Sequence, residues 1–583
     1  MGYNYWNGTE AAHRRVMMKA AGYSDEDIRQ KPHIGIPNSY MAGSPGTAHL
    51  RQVTEAVKEG IWAAGGIPVE FGIPATCGNV ANGADEMKYE QVGRDIVAMS
   101  IEFVSRIHNF DAICCVASCD LIIAGCYLAA CRLDIPALVV TGGSMQAGNY
   151  CGKTVVEADL DAARFSGASE AELFEMEESV CPSFGACPSM GTANTMQMLG
   201  EVLNLVMPGT STIPASDNAR LRAARTAGKY MVQLARSGKT PKDLITKDVL
   251  ENAIMFDMAV AGSTNAVLHI LAYAYELGIK LTLADFEKYA KEIYCINAVI
   301  PSGPYTVVDF HYAGGVKQVM KQLAGKIHTD APTIYGDTTW GELLDSVKSA
   351  PNKVIHSLED PVAKEPGLKI MRGNISPAGA IVRPTAVYEE VKYIKGAAKV
   401  YECDQDAYKA IMAGEIVAGD ILVIRYEGCK GAPGMKELML SIDALIGLGL
   451  DKKVGLITDA RFSGFNYGAI VGHVSPEAYD GGVIALIENG DEIEMNIAGG
   501  TVNLLVSDEI LAERRKSWVR PPLKQQKGVL NIYAQNCRPA EEGGAMQPWA
   551  LEADYGYHHE YKVLVWIRRE RVCYCFQKRI LKA

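Results

Sequence analysis

Thiols set on irregular, glycine- and proline-rich loops are the groups in this sequence best suited to chemistry. Cys187 lies in Cys-Pro-Ser-Phe-Gly-Ala-Cys-Pro-Ser-Met-Gly-Thr-Ala-Asn-Thr-Met (181–196), where prolines 182 and 188 and glycines 185 and 191 hold a non-repetitive backbone path. Such a loop presents a soft-metal ligand or a nucleophile without a bulky neighbour; the competing reading is a small buried hydrophobe. Cys119 is followed directly by Asp120, and Cys77 stands in Thr-Cys-Gly-Asn-Val-Ala-Asn-Gly (76–83).

The flanking pattern supplies the elements that position them. His33–Ser39, Ile67–Phe71, Ala112–Val116 and Ala137–Thr141 are short apolar runs that read as buried strands. Helices are expected from about 50 to 64, stopped by Gly65-Gly66, then through about Ile107, and from near Leu121. Alternating apolar strand, loop and helix predicts a parallel sheet covered on both faces, with ligands at the loops leaving the strands. Cys77, Cys119, Asp120 and Gly142-Gly143 all fall on such loops. From about 215 to 345 the pattern is mainly helical, and prolines 351, 361 and 366 among charged residues mark a linker. Beyond it, Ala398–Tyr401, Ile421–Tyr426, Val454–Thr458, Val483–Ile487 and Thr501–Val506 read as strands of a barrel or sandwich. The expected organisation is therefore α/β: an N-terminal α/β/α domain with a parallel sheet over 1–360, a β-rich domain over 361–548, and an atypical basic tail over 549–583.

Composition narrows the function. At 583 residues the chain exceeds what one core supports. A net charge of −11 argues against nucleic acid or an anionic membrane as partner, and leaves an anionic substrate dependent on local cations. Ile113–Val140 is interrupted by Asp120, Arg132 and Asp134, so it is no membrane span. The fifteen cysteines show no disulfide framework, and Met1–Trp6 shows no basic start leading into an apolar run, which together point to reduced thiols in the cytoplasm. Gly152-Lys153-Thr154 lacks the spacing of a phosphate loop, and Cys573-Tyr-Cys575 lacks a second zinc pair. His49, His269, His311 and His473 read as structural hydrogen-bonders.

Cys119-Asp120, Cys187, the stretch Arg425-Tyr-Glu-Gly-Cys-Lys-Gly-Ala-Pro-Gly-Met435 and Asp459-Ala-Arg-Phe-Ser-Gly464 together resemble the dihydroxy-acid and sugar-acid dehydratase family. Colinear stretches such as Pro45–Leu50, Gly142–Met145, Gly191–Met196, Gly262–His269, Gly373–Ala380 and Gly472–Ala478 extend the resemblance from about residue 10 to 545. It implies a β-barrel-like, swivelling C-terminal domain, and a hydro-lyase that converts a 2,3-dihydroxy acid or sugar acid into a 2-keto acid. It implies an iron–sulfur cluster on Cys119 and Cys187, magnesium on Asp120 and Glu427, and Ser463 as base; because a serine is a weak base unless its alkoxide is stabilised, Arg461 and nearby metal are candidate helpers. Gly46, where the two-iron branch carries a further cysteine, looks like the four-iron branch. The implied substrate is a small polyhydroxy carboxylate, and the implied assembly a homodimer or dimer of dimers.

Two positions depart from the family. Gly78 stands where the family has a magnesium carboxylate, and Leu121 where it has a metal-serving lysine. Asp85 and Asn79 are candidate substitutes, and Cys77 a candidate third cluster ligand. The departures keep open a second reading, a non-catalytic or repurposed paralogue that binds a small carboxylate.

Overall fold

A computed structural model describes residues 5–348, 350–462 and 467–547. Strands β1 (His33–Asn38), β2 (Ile67–Gly72), β3 (Ala112–Ala117) and β4 (Ala137–Thr141) form a wholly parallel sheet in the order β2-β1-β3-β4. Alternation along β3 assigns its two faces. Ala112, Cys114 and Val116 pack with α1 (Leu50–Ala63) and with a later helix, α5 (Ala219–Ser237). Ile113, Cys115 and Ala117 pack into the larger core formed by α3 (Asp120–Leu133), α4 (Thr192–Val202), α6 (Lys247–Val260) and α7 (Asn265–Leu277). The first of those helices is preceded by α2 (Tyr89–His108), which lies along α3. The three-layer α/β/α arrangement is thus written in the period-2 pattern of the strands. Close approach of α1 to α5 uses glycine at the crossing: a Cβ on Gly60 would come within 3.0 Å of the Arg225 carbonyl carbon and Lys229 N.

The second sheet has eight strands: β5 (Lys369–Met371), β6 (Gly379–Val382), β7 (Tyr393–Tyr401), β8 (Ile421–Ile424), β9 (Gly455–Thr458), β10 (Ala469–Ser475), β11 (Glu492–Asn496) and β12 (Thr501–Leu504). Their order is β12-β11-β7-β8-β9-β10-β6-β5, with parallel pairing from β7 through β10 and antiparallel pairing at both ends. Arg372, next after β5, bridges to Thr501 in β12: its N–H donates to Gly500 O at 2.9 Å and its carbonyl accepts from Val502 N at 2.7 Å. That bridge brings the two ends of the sheet together in a barrel-like ring. Ile421, Val423, Ile457, Val471, Ile493 and Val502 fill the interior, while Leu422, Ile424, Leu456 and Ile470 face the helices Asp404–Met412 and Leu440–Gly447.

The strand expected over Val483–Ile487 is instead a 3₁₀ turn, Val483–Leu486. The run is apolar throughout, so alternation gave no face to choose. Arg425 Nη1 donates to the carbonyls of Ala485 and Ile487 at 2.8 and 2.9 Å, taking up groups that a ladder would otherwise pair. The linker segment is bridged at Ile355 to Asn297 and at Ala363 to Cys295. No described helix is long and apolar enough to cross a membrane. The tail expected from 549 lies outside the described residues.

Candidate active site

Cys119 sits between β3 and α3 with φ +74°, a backbone region that favours glycine. A non-glycine residue there costs about 1–3 kcal/mol, which one or two fully buried aliphatic side chains of the adjoining core offset. Its thiol donates to Cys77 on the loop after β2. That hydrogen bond, ahead of any other influence, draws Cys77 down to about 7 and pushes Cys119 up. Cys77 is therefore the first of the pair to become a thiolate, the form that ligates metals.

The Cys187 loop is fixed to the same edge. Met145 N donates to Ala186 O at 2.8 Å and Ala186 N to Gly143 O at 2.9 Å, extending the path beyond β4. Asn194, from the first turn of α4, donates to the carbonyls of Cys187 and Ser189 at 2.5 and 2.8 Å. Gln197 accepts from Gly143 N at 2.7 Å and donates to Asn194 at 2.9 Å, tying loop to loop. His49 Nε2 donates to Gly142 O at 2.9 Å, and its ring stacks on Phe184 with centroids 4.6 Å apart. Burial and the adjacent Glu157 push the Cys187 thiol up. Asn79 points its amide nitrogen at Cys187 Sγ, 3.5 Å away. A Cβ on Gly46 would lie 3.5 Å from Cys119 Sγ, so glycine leaves room beside that sulfur.

Cys77, Cys119 and Cys187 thus converge, each partly exposed, on three loops at one sheet edge. Their sulfurs do not all lie within 4.8 Å of one another. Sulfurs around one tetrahedral ion at about 2.3 Å sit only ~3.8 Å apart. Three spaced, partly exposed thiols fit a cluster better than a single ion.

The carboxylates divide differently from the expectation. Asp120 opens α3, and loss of water around its carboxyl, then Glu90 and Glu437, push its pKa up. Glu90, in the first turn of α2, is pushed up to about 7 by burial, against the pull of Arg461. Arg461 and Glu437 face each other in a short parallel ladder, Glu437–Leu438 with Arg461–Phe462. The Arg461 guanidinium, fully buried, donates to Glu437 at 3.1 Å, Glu90 at 3.0 Å and Met435 O at 2.8 Å. Asn265 Nδ2, at the start of α7, also donates to Glu437, at 2.6 Å. Arg461 therefore anchors carboxylates from both halves of the chain. The three carboxylates do not all close to within 4.8 Å of one another, and Arg461 spans two of them.

Glu427 and Asp85 are placed elsewhere. Glu427 lies 3.5 Å from Lys524 Nζ, its backbone N–H donates to Asp459, and burial lifts it to about 6. Asp85 is exposed and paired with Lys88. The charges that act most on Asp120 are Glu90, Glu437, Cys77 and Arg461. Leu121 is buried and offers no donor atom. Ser463 lies outside the described residues. Sequence reasoning missed Glu90 and Glu437: the second stands two residues past the quoted Arg425–Met435 stretch, whereas the first reads as one more charge on an amphipathic helix.

A second acidic group, Asp248, Glu251 and His328, brings its ligand-type atoms within 4.8 Å of one another. His328 Nε2 lies 2.7 Å from Glu251, Lys247 Nζ lies 3.6 Å from it, and Tyr289 donates to it, so cations and donors within the protein satisfy this group.

Comparison with known proteins fits this arrangement. The family model described as Dihydroxy-acid/6-phosphogluconate dehydratase N-terminal matches residues 31–342, and its C-terminal counterpart matches 353–544. The dihydroxy-acid dehydratase of Caldanaerobacter subterraneus subsp. tengcongensis is 42% identical over 546 residues, covering 93% of this chain and 98% of the relative. Those of Ignicoccus hospitalis and Pyrococcus abyssi are 43% and 42% identical, covering 92% and 93% of this chain and 98% of each relative. Over nearly its whole described length, the chain belongs to the dihydroxy-acid/6-phosphogluconate dehydratase family.

Proposed function

We propose that this protein is a hydro-lyase that removes water from a 2,3-dihydroxy carboxylic acid and releases the 2-keto acid. The observation that carries the reading is the convergence of Cys77, Cys119 and Cys187 beside an oxygen-donor set, Asp120 and Glu437. The thiols are the residues that would hold an iron–sulfur cluster, for which we favour the four-iron form because Gly46 brings no further thiol. The carboxylates are those that would hold magnesium. When bound, the cluster would supply a Lewis acid and magnesium a hard cation for an oxygen-rich substrate.

The chain's own residues do the rest. Ser463, assigned by family resemblance, takes the proton from C2, and the C3 hydroxyl leaves as hydroxide. Proton and hydroxide together make the water that is released. The enol left behind takes a proton at C3 and becomes the 2-keto acid. A serine is a weak base by itself, so its alkoxide needs cationic surroundings. Arg461 contributes indirectly, because its donors are already engaged by Glu90, Glu437 and Met435 O. Its work in this reading is to hold the two carboxylates in place. The thiols belong to the part up to about residue 360, whereas Glu437, Arg461 and Ser463 belong to the part beyond it. A homodimer is the proposed assembly, with Met99, Phe103 and Ile107, exposed at a four-residue spacing on α2, as its apolar contact. A monomer in sedimentation equilibrium would exclude it.

The test is anaerobic purification followed by turnover on a panel containing 2,3-dihydroxyisovalerate and several sugar acids. The expected result is a brown protein that forms a 2-keto acid, with Ser463→Ala keeping the colour and losing turnover by at least about 100-fold. A brown protein with no turnover on any acid would overturn the reading, and full turnover by Ser463→Ala would remove that residue from it.

A further inference from the structure

Gly78 has no side chain, yet the space a side chain would use is filled. A Cβ built there would come within 2.6 Å of Glu90 Cδ, and closer still to Glu90 Oε1. The head of Glu90 thus occupies the volume belonging to residue 78, beside Cys77. Glu90 is only 8% exposed. Its Oε2 is held by Arg461 at 3.0 Å, while Oε1, the oxygen turned toward Gly78, accepts no hydrogen bond among the described residues.

We propose that Glu90 supplies, from helix α2, the cation-binding carboxylate that the loop at residue 78 lacks. The proposal rests on the hydro-lyase reading for the identity of the cation. Its structural support is independent: a buried carboxylate in the vacated side-chain volume, with one oxygen unpartnered. Glutamate on the helix reaches the place that a shorter side chain on the loop would reach from the other direction. Charge favours the same conclusion. Arg461 pairs with Glu90 and Glu437 and lies near Asp120, so when all three carboxyls are ionised they outnumber it, and a divalent cation with oxygen ligands would offset the difference.

The exchange makes a reciprocal prediction. Gly78→Asp alone collides with Glu90, and Glu90→Gln alone removes a ligand charge. Gly78→Asp combined with Glu90→Ser moves the carboxylate back to the loop and opens room for it. Binding of Mn²⁺, a paramagnetic stand-in for Mg²⁺, is measured by electron paramagnetic resonance on the anaerobically purified protein, with the thermal midpoint recorded for each variant. The expected result is about tenfold or greater weakening of Mn²⁺ binding in each single variant and recovery to within about threefold of the original in the double variant. Should a single variant fail to fold, the double variant still decides, because it must both fold and bind. Unchanged Mn²⁺ binding by Glu90→Gln, no Mn²⁺ binding by the unaltered protein, or a folded double variant that does not bind would overturn the proposal. Glu90-dependent Mn²⁺ binding in a protein that dehydrates no acid would remove the hydro-lyase reading and leave the role of Glu90 standing. Turnover with Glu90-independent binding would do the reverse.

Discussion

Two acidic groups in this molecule look alike on paper and differ in what surrounds them. Asp248, Glu251 and His328 meet the distance requirement of an ion site, but His328 and Lys247 stand at Glu251 and Tyr289 donates to it. Asp120, Glu90 and Glu437 are more widely spread, two of them well buried, and among the described residues Arg461 is the cation set between them, with Asn265 also donating to Glu437. Closeness of oxygens is cheap where a lysine, a histidine and a tyrosine hydroxyl answer them, even though Glu251 is itself buried. Negative charge left over after burial is costly, and either protonation or a cation bound from outside the chain would offset it.

Three experiments break or sharpen that contrast. The largest effect is expected for Arg461→Gln, which strands Glu90 and Glu437 without their counter-ion. Loss of about 3–5 kcal/mol in urea unfolding is expected without divalent cation, partly regained with Mg²⁺. A loss under about 1 kcal/mol would mean that the carboxylates do not depend on the guanidinium.

An intermediate effect is expected on acidification. Burial, then Arg461, depress His473 to about 3, and neither ring nitrogen has a partner among the described residues. A histidine whose folded pKa lies below its unfolded value of about 6.5 lends stability that is present above pH 6.5 and is lost as pH falls toward 3. Between pH 7 and pH 5 the protein should lose about 2 kcal/mol through this residue, read from urea midpoints. His473→Asn keeps a side chain that tolerates the positive φ of 55° and should show a shallower acid loss. Equal slopes for the two proteins would place the acid sensitivity elsewhere.

The smallest effect belongs to the group of Asp248, Glu251 and His328: Lys247→Gln removes a half-exposed cation 3.6 Å from Glu251. Stability should move by no more than about 0.5 kcal/mol and turnover should stay as it was. A fall in turnover would make this second group functional after all.

Much of the framework could be read from residues alone. Strands β1 to β4 are short apolar runs bounded by glycine, proline or charge, and their loops carry the thiols expected of them. Cys77 was placed correctly on the loop after the second strand, although its contact with Cys119 is a fact of three dimensions. Val483–Leu486 was misread because a run with no alternation has no face, and its carbonyls are claimed by Arg425 from far along the chain. Glu427 and Glu437 stand ten residues apart on one loop system, and only the fold decides which of them turns toward Asp120. Glu90 was least legible, because its meaning lies in the missing side chain of a residue twelve positions earlier.

The left-handed turn at Cys119 has one further consequence. Glycine would occupy that bend with less strain, so folding alone gives no reason to keep a sulfur-bearing residue there. A thiol held against the local preference of its own backbone costs stability, and it leaves the chain under more tension at this corner than anywhere along the neighbouring strands.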